Sequence, residues 1–141
     1  MSYSKVYIHF VWVTKMRKPF LVKDKRIEIQ KHILANSREK GIFVETINGY
    51  LDHLHCLVSL GKDQTISEVA RLIKGESSFW INKQQLFSSK FAWQEEYYAV
   101  SVSESVRRKV IEYIENQEDH HSRKTFMEEH EELIAVLGRD S

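Results

Sequence analysis

The chain alternates between two kinds of hydrophobic pattern. Short stretches rich in β-branched and aromatic residues predict strands, and longer stretches with apolar residues three and four apart predict helices. The predicted strands cover residues 5–13, 42–50, 53–60 and 91–100. The predicted helices cover residues 24–40, 65–86, 104–117 and 126–137. This mixture of strands and helices places the chain among the α+β proteins.

Local signals predict where the helices begin and end. Gly41 follows the first helix and is a typical C-terminal stop, and Thr65 with Glu68 forms a capping-box pattern at the start of the second. Ser101 or Ser103 can cap the third helix. The apolar residues that we expect to face the core from the first two helices are Ile27, Ile33, Leu34, Val69, Leu72, Ile73 and Phe79.

The order of elements predicts the split β-α-β topology, which is the ferredoxin-like or RRM-like fold. In it, an antiparallel sheet carries two helices on one face. Its usual form has the first and third strands in the centre of the sheet. The opposite face has no helix in that form, so we expect it to be open and to offer room for a site.

The composition is that of a folded domain with a substantial core. Of the 141 residues, 42% are hydrophobic, and the length fits one domain over 1–141 with a helical C-terminal segment at about 122–141. The lone cysteine, Cys56, rules out an intrachain disulfide and a cysteine-rich zinc site. No stretch approaches the roughly 20 apolar residues of a membrane span. The N-terminus also lacks a signal-peptide pattern, so we expect a cytoplasmic protein that does not interact with membranes.

The formal net charge is only +1, which is weak for a protein that binds nucleic acid. The charges are partly segregated, because a basic turn follows the first strand and acidic residues crowd positions 128–132. The candidates for contacts with DNA phosphates are Lys15, Arg17, Lys18, Arg71 and Lys74. Solvated faces produce similar charge runs, so charge alone leaves both interpretations open.

Two histidines on the third predicted strand form the first candidate site. Successive strand side chains point to opposite faces, so Leu54, Cys56 and Val58 share the core face. His53 and His55 share the other face, about 7 Å apart along the strand. Two imidazoles at this spacing can converge on one metal ion. The H-x-H pattern is also compatible with two ordinary half-exposed histidines.

The third predicted helix carries the second candidate site. Val106, Val110 and Ile114 are four residues apart and form its packing stripe. Tyr113 and Gln117 are also four apart, so they lie one turn from each other beside that stripe. A phenol there can act as a nucleophile, and an amide oxygen can act as a hard metal ligand. A packed tyrosine and a helix-end glutamine would give the same pattern.

Several of these motifs resemble one family. The segments that carry the resemblance are Asp52-His53-Leu54-His55, Trp93-Gln94 with Tyr97, Ser101-Val102-Ser103-Glu104-Ser105, and Tyr113-Ile114-Glu115-Asn116-Gln117 with His120-His121. They are similar to the single-tyrosine HUH transposases of small bacterial insertion sequences, which are related to the REP-associated tyrosine transposases. The likeness extends from the first strand to about His121. Residues 122–141 carry no matching motif, and Leu51 stands where many relatives have proline.

The resemblance implies a set of roles. It assigns His53, His55 and Gln117 as ligands of Mg²⁺ or Mn²⁺, and Tyr113 as the nucleophile that forms a 5′-phosphotyrosine and releases a 3′-hydroxyl. The implied substrate is single-stranded DNA with a hairpin near the end of the mobile element. The implied assembly is a homodimer, often with the tyrosine helix of one subunit facing the histidines of the other.

Two further residues are accessory candidates. His9 lies on a strand expected to neighbour the third strand, in phase with Tyr7 and Val11, so it can contact the metal or the phosphate. A polar residue on an open sheet face is the other interpretation of His9. Asp52 directly precedes the histidine pair within the resembling motif.

Three other functions stay open from the sequence. A non-catalytic module that binds single-stranded nucleic acid on an RRM-like sheet could stack bases on Tyr7, Tyr97 and Tyr98. That function gives no role to the histidine pair, to Tyr113 or to Gln117. A zinc hydrolase would need a third histidine or a carboxylate at a suitable spacing. A HUH nickase of the replication or plasmid-transfer type is usually a longer chain.

Overall fold

Strands and helices follow the predicted order in the computed structural model, which describes residues 3–117 and Glu128. The strands are β1 (Tyr7–Val13), β2 (Phe43–Gly49), β3 (His53–Ser59) and β4 (Tyr98–Val102). The α-helices are α1 (Lys23–Glu39), α2 (Ile66–Lys83) and α3 (Arg107–Glu115), with 3₁₀ turns at Lys15–Arg17 and Glu104–Val106. Except for Glu128, the predicted C-terminal segment 122–141 and its helix at 126–137 lie outside the described residues. None of the described helices is long and apolar enough to cross a membrane.

The sheet is antiparallel with the strand order β2-β3-β1-β4, so β1 and β3 are central as the split topology predicts. β1 pairs with β3 along its whole length, which places His9 opposite Leu57 and Val11 opposite His55. Because strand residues alternate between faces, this register puts His9, His53 and His55 on the same face of two adjacent strands.

One face of the sheet packs against α1 and α2 and forms the main hydrophobic core. Full burial of each large apolar side chain there contributes about 1.5–3 kcal/mol. The core residues from the two central strands are Ile8, Phe10, Trp12, Leu54, Cys56 and Val58. The core residues from the two helices are Ile29, Ile33, Val69, Ala70, Ile73 and Ile81.

The predicted inward faces of α1 and α2 are wrong at three positions. Ile27, Leu34 and Phe79 are exposed by 40%, 37% and 65%. The inner stripe of α1 includes the buried Arg26 instead, whose guanidinium donates to the Leu21 carbonyl at 2.9 Å. The hydrophobic pattern predicted the wrong inward face because a hydrogen-bonded arginine occupies an inward position.

The fourth strand begins at Tyr98. The sequence predicted that it would begin at residue 91. Phe91 and Trp93 are buried in the main core, where apolar character reflects packing rather than strand structure. Asn82 of α2 holds the backbone of Phe91 through two hydrogen bonds. Its amide donates to the Phe91 carbonyl at 2.9 Å, and its Oδ1 accepts from the Phe91 N–H at 2.8 Å.

The third helix is shorter than predicted and lies on the other face of the sheet. A 3₁₀ turn ends at Val106, whose φ of −110° and ψ of 2° are not those of an α-helix. The α-helix therefore begins at Arg107. A second, smaller core joins α3 to the sheet, and its buried members are Tyr7, Leu57, Val102, Val106, Val110 and Ile114. The face that we expected to be open is therefore partly covered by α3.

Candidate active site

Histidines occupy the sheet face beneath α3. His9 on β1 and His53 and His55 on β3 are 0%, 1% and 2% exposed. The ring centroids of His53 and His55 lie 5.1 Å apart, and the two ring planes are inclined by 76°. The predicted shared face is present, but the histidines are buried rather than half exposed. Buried imidazoles cost stability unless they have hydrogen-bond partners, so their partners are informative.

His53 is held through its Nδ1 atom. Asp52 Oδ1 lies 2.8 Å from that nitrogen. A carboxylate can only accept, so Nδ1 carries the proton, and in the neutral imidazole Nε2 of His53 keeps its lone pair. A carboxylate that fixes the ring and tautomer in this way is the usual outer partner of a metal-binding histidine.

The turn between β2 and β3 presents Asp52 and depends on Gly49. A Cβ atom at Gly49 would lie 2.1 Å from the backbone oxygen of His53, so only glycine permits this approach. The Tyr50 N–H donates to the His53 carbonyl at 3.0 Å, and the Thr14 N–H donates to the Asp52 carbonyl at 2.8 Å. These bonds fix the backbone on both sides of the Asp52 side chain.

His55 is also held through Nδ1, but by a different kind of partner. Nε2 of His9 lies 2.8 Å from Nδ1 of His55, and the two ring centroids are 5.0 Å apart. Val11 is the residue directly opposite His55, so His9 reaches it diagonally across the two strands. With Nδ1 engaged by His9, Nε2 is the atom of His55 that can serve as a metal ligand.

Gln117 reaches the histidines just beyond the end of α3. Its side chain is fully buried, and its Oε1 lies 3.4 Å from Nε2 of His53. The Gln117 amide donates to the Tyr113 carbonyl at 3.3 Å. Two ligand atoms that are each about 2.1 Å from one ion are separated by ~3.0 Å in octahedral and ~3.4 Å in tetrahedral geometry. The observed 3.4 Å lies at the upper end of this range, so the two atoms are close enough to bind one ion together.

The candidate donor set combines two imidazole nitrogens with one amide oxygen, which is the harder type of ligand. Within residues 3–117 and Glu128, no group of three or more His, Cys, Asp and Glu side chains forms a metal site. Two imidazole nitrogens from His53 and His55 and the amide oxygen of Gln117 would give three protein ligands. Further coordination positions would then remain for water and phosphate oxygens, as Mg²⁺ and Mn²⁺ sites usually require.

Tyr113 lies beside the same cluster. Its ring centroid is 5.7 Å from that of His55, and the ring planes are inclined by 83°. The neighbouring Val110 and Ile114 are buried and anchor this part of α3 to the sheet. The structure thus brings the predicted nucleophile and the three predicted ligands together within one chain.

Asn48 is a site residue that the sequence analysis missed. It lies opposite His55 in the register of β2 and β3, and its amide donates to the Glu115 carbonyl at 3.0 Å. Gln30 of α1 donates to Oδ1 of Asn48 at 3.2 Å. Asn48 therefore ties the end of α3 to the sheet. The hairpin register, once known, would have pointed to it.

Three candidate DNA-binding residues lie on one exposed turn next to the site, and they are Lys15, Arg17 and Lys18. The Thr14 hydroxyl connects this turn to the site, because it lies 2.8 Å from the Lys18 carbonyl and 3.2 Å from the Asp52 carbonyl. Met16 and Arg17 have left-handed φ angles of 59° and 54°. Such backbone costs about 1 kcal/mol or more per residue and persists only where the surroundings hold it.

The other two candidates, Arg71 and Lys74, lie on α2, which packs on the sheet face opposite the histidines. Lys74 donates to the Glu95 carbonyl at 2.5 Å, and its ammonium lies 5.5 Å from the centre of the Tyr97 ring. Burial lowers the pKa of Lys74, against the opposing effect of the Glu95 carboxylate. The structure does not bring these two residues to the site, and their contact with DNA stays a prediction.

The aromatic residues of the alternative binding module are mostly covered. Tyr7 is 6% exposed and carries the Arg107 guanidinium 5.3 Å above its ring. Burial raises the pKa of Tyr98, whose ring lies edge-on to His9. Tyr97 is the most exposed of the three, at 37%. These rings do not form a platform on which bases could stack.

Known proteins resemble this chain in sequence and in fold. The family model described as "Transposase IS200 like" matches residues 2–117. The chain is 27% identical over 117 residues to the ISDra2 transposase TnpA of Deinococcus radiodurans. The aligned region covers 79% of this chain and 83% of that protein.

Two solved structures share the fold. One is a crystal structure of a candidate transposase from Deinococcus radiodurans R1, with a TM-score of 0.65, 23% identity, and coverage of 82% of this chain and 93% of that one. The other is a REP-associated tyrosine transposase bound to a REP hairpin, with a TM-score of 0.61 and 18% identity. The match covers 82% of this chain and 68% of that one.

Proposed function

The chain belongs to the family of IS200-like transposases, and on that premise we propose that it cuts and rejoins single-stranded DNA through a covalent bond to Tyr113. The observation that carries the proposal is the meeting of Tyr113 with His53, His55 and Gln117 in one cluster. The central strand β3 and the end of α3 supply these residues. Neither the small core nor the pairing of the strands requires polar side chains there.

We propose Mg²⁺ or Mn²⁺ as the cofactor, with His53, His55 and Gln117 as its protein ligands. When bound, the ion would supply positive charge for the oxygens of the scissile phosphate and for the phenolate of Tyr113. Asp52 would keep the proton of His53 on Nδ1. The Gln117 amide, bonded to the Tyr113 carbonyl, would keep its oxygen turned toward His53.

In the proposed reaction, the Tyr113 oxygen attacks the scissile phosphorus in line. A tyrosine–phosphate bond forms as the phosphorus–O3′ bond breaks, the phenol loses its proton, and the leaving 3′ oxygen gains one. One phosphodiester replaces another, so the reverse step can rejoin DNA without ATP. Because α3 is anchored to the sheet, Tyr113 is held in place, and such positioning can supply several kcal/mol of the barrier.

The proposed substrate is single-stranded DNA with a hairpin near the end of the mobile element. The exposed basic turn with Lys15, Arg17 and Lys18 lies beside Asp52 and is the best placed of the candidate phosphate contacts. A structural relative was solved with a REP hairpin bound, which supports this class of ligand. We propose that the reaction takes place in the cytoplasm.

We also propose a homodimer, as the family resemblance implies. Within one chain, Tyr113 already lies against His55 and Gln117 against His53, which favours a site completed in cis. Mixing His53→Ala with Tyr113→Phe protein tests this arrangement, since a cis site predicts no recovery of cleavage. Recovery in the mixture would show that the tyrosine helix serves the partner subunit, and a monomer in sedimentation would refute the dimer.

The decisive experiment is capture of the covalent intermediate. The protein is incubated with Mg²⁺ or Mn²⁺ and single-stranded DNA from the ends of its own mobile element, and denaturation-resistant adducts are mapped. We expect an adduct on Tyr113 in wild type and none in Tyr113→Phe, which removes only the oxygen. Tyr97→Phe is the matched control and should retain the adduct. An adduct on another tyrosine would contradict the assignment, and none under either metal would favour the binding module.

A further inference from the structure

His9 is a buried polar residue to which the proposed reaction assigns no role. It is 0% exposed, and its Nε2 lies 2.8 Å from Nδ1 of His55. We propose that His9 is a positioning residue that fixes the tautomer of His55 and thereby directs Nε2 of His55 to the metal. This inference rests on the proposed role of His55 as a metal ligand.

The proton between the two rings can sit on either nitrogen. If Nδ1 of His55 carries it, His55 donates to His9, and Nε2 of His55 keeps the lone pair that a metal ligand requires. If Nε2 of His9 carries it, neutral His55 is protonated on its own Nε2 and cannot bind a metal through that atom. The position of one proton therefore decides whether His55 is a competent ligand.

Packing alone does not call for a histidine at position 9. Val11, the next residue of β1 on the same face, is buried and apolar. A buried imidazole costs stability relative to such a residue unless a partner satisfies it. The contact with His55 is one that a polar side chain at this position can make and a leucine cannot.

The two metal-binding histidines would then be controlled in different ways. Asp52 can only accept a hydrogen bond, so it forces the tautomer of His53. His9 can accept or donate, and in the proposed arrangement it accepts through Nε2, which places its own proton on Nδ1. The site would combine one ligand with a fixed proton position and one whose proton position is set by a second imidazole.

The direct test is the tautomer of His55 in the metal-free protein, measured by ¹⁵N NMR with both imidazoles neutral. We expect the proton on Nδ1 in wild type. In His9→Leu, we expect a shift toward Nε2, which neutral imidazoles favour in water. His9→Gln, whose amide oxygen can accept from His55, should retain the Nδ1 form. A proton on Nε2 in wild type, or the same tautomer in wild type and His9→Leu, would overturn the proposal.

Titration with Mn²⁺ gives the second readout. Loss of an outer partner of a ligating histidine typically weakens metal binding by about 10–100-fold, so we expect a loss of this size in His9→Leu. His9→Gln should stay close to wild type. Circular dichroism would verify that each variant is folded, and equal Mn²⁺ affinity of folded His9→Leu and wild type would overturn the proposal. Failure of wild type to bind Mn²⁺ would refute the metal site itself, while NMR would still decide whether His9 sets the tautomer.

Discussion

The two faces of the sheet are built in opposite ways from the same strands. The face toward α1 and α2 is apolar along both central strands, with Phe10 and Trp12 on β1 and Leu54 and Cys56 on β3. The face toward α3 carries the buried His9, His53 and His55, beside a smaller apolar cluster. Alternate residues of one strand thus serve different ends.

The apolar face stabilises the fold, and the polar face carries the residues that can do chemistry. Burial of the apolar face stabilises the fold by removing hydrocarbon from water. Burial of imidazoles opposes folding unless their nitrogens are bonded, and Asp52 and His9 supply such bonds at His53 and His55. A residue that costs stability yet is held in place by dedicated partners is the kind of residue that a functional site requires.

The largest expected effect comes from breaking the apolar face. Phe10→Ala, at a fully buried position, should lower the free energy of unfolding by about 3–5 kcal/mol because it leaves a cavity in the main core. Urea unfolding measures this change. The matched control is Phe79→Ala at a 65% exposed position, where we expect a change within about 0.5 kcal/mol. Equal losses in both variants would contradict the asymmetry between core and surface.

Much of the apolar face could be predicted from the sequence, because burial leaves a direct mark on residue type. The alternation along β3 correctly assigned Leu54, Cys56 and Val58 to the core, and Thr65 caps α2 by accepting from the Glu68 N–H at 3.1 Å as predicted. The start of β4 and the phase of α1 could not be predicted. There, side-chain bonds such as those from Asn82 and Arg26 decide the local structure.

The polar face could be predicted only where a motif marks it. The alternation of strand residues predicted that His53 and His55 share a face. The four-residue helical spacing predicted that Tyr113 lies near Gln117. The contact between His9 and His55 depends on the register between β1 and β3, which no local pattern specifies. The same applies to Asn48, whose bond to α3 crosses from one element to another.

Asp52→Asn sharpens the comparison on the polar face. An amide accepts more weakly than a carboxylate and can also donate, so the tautomer of His53 would be less well fixed. We expect Mn²⁺ affinity, measured by titration calorimetry, to fall by about 10–100-fold with little change in stability. Asp63→Asn, at an exposed position in the loop after β3, serves as the control. Unchanged affinity in Asp52→Asn would argue against an outer role for this carboxylate.

Asn48→Ala tests the connection between the polar face and α3. The variant loses the hydrogen bond to the Glu115 carbonyl, so we expect about 1 kcal/mol lower stability in urea unfolding. Displacement of Tyr113 should also slow adduct formation by about tenfold. Gln30→Ala removes only the brace on Asn48 and should have a smaller effect on both. Adduct formation at the wild-type rate in Asn48→Ala would show that this bond does not position the helix.

The smallest expected effect concerns Cys56, which directly follows His55 on β3 and points to the apolar face. Burial raises the pKa of its thiol from 9.0 to about 12, so the native protein at pH 8 should not react with iodoacetamide, because the thiolate is the reactive form. The raised pKa contributes stability that is fully present below pH 9. Above it, the unfolded thiol ionises first, so stability falls as the pH rises toward 12. By pH 9.5 the loss is below about 1 kcal/mol. Cys56→Ala should remove this pH dependence, and rapid alkylation of native wild type at pH 8 would contradict the burial that keeps the thiol protonated.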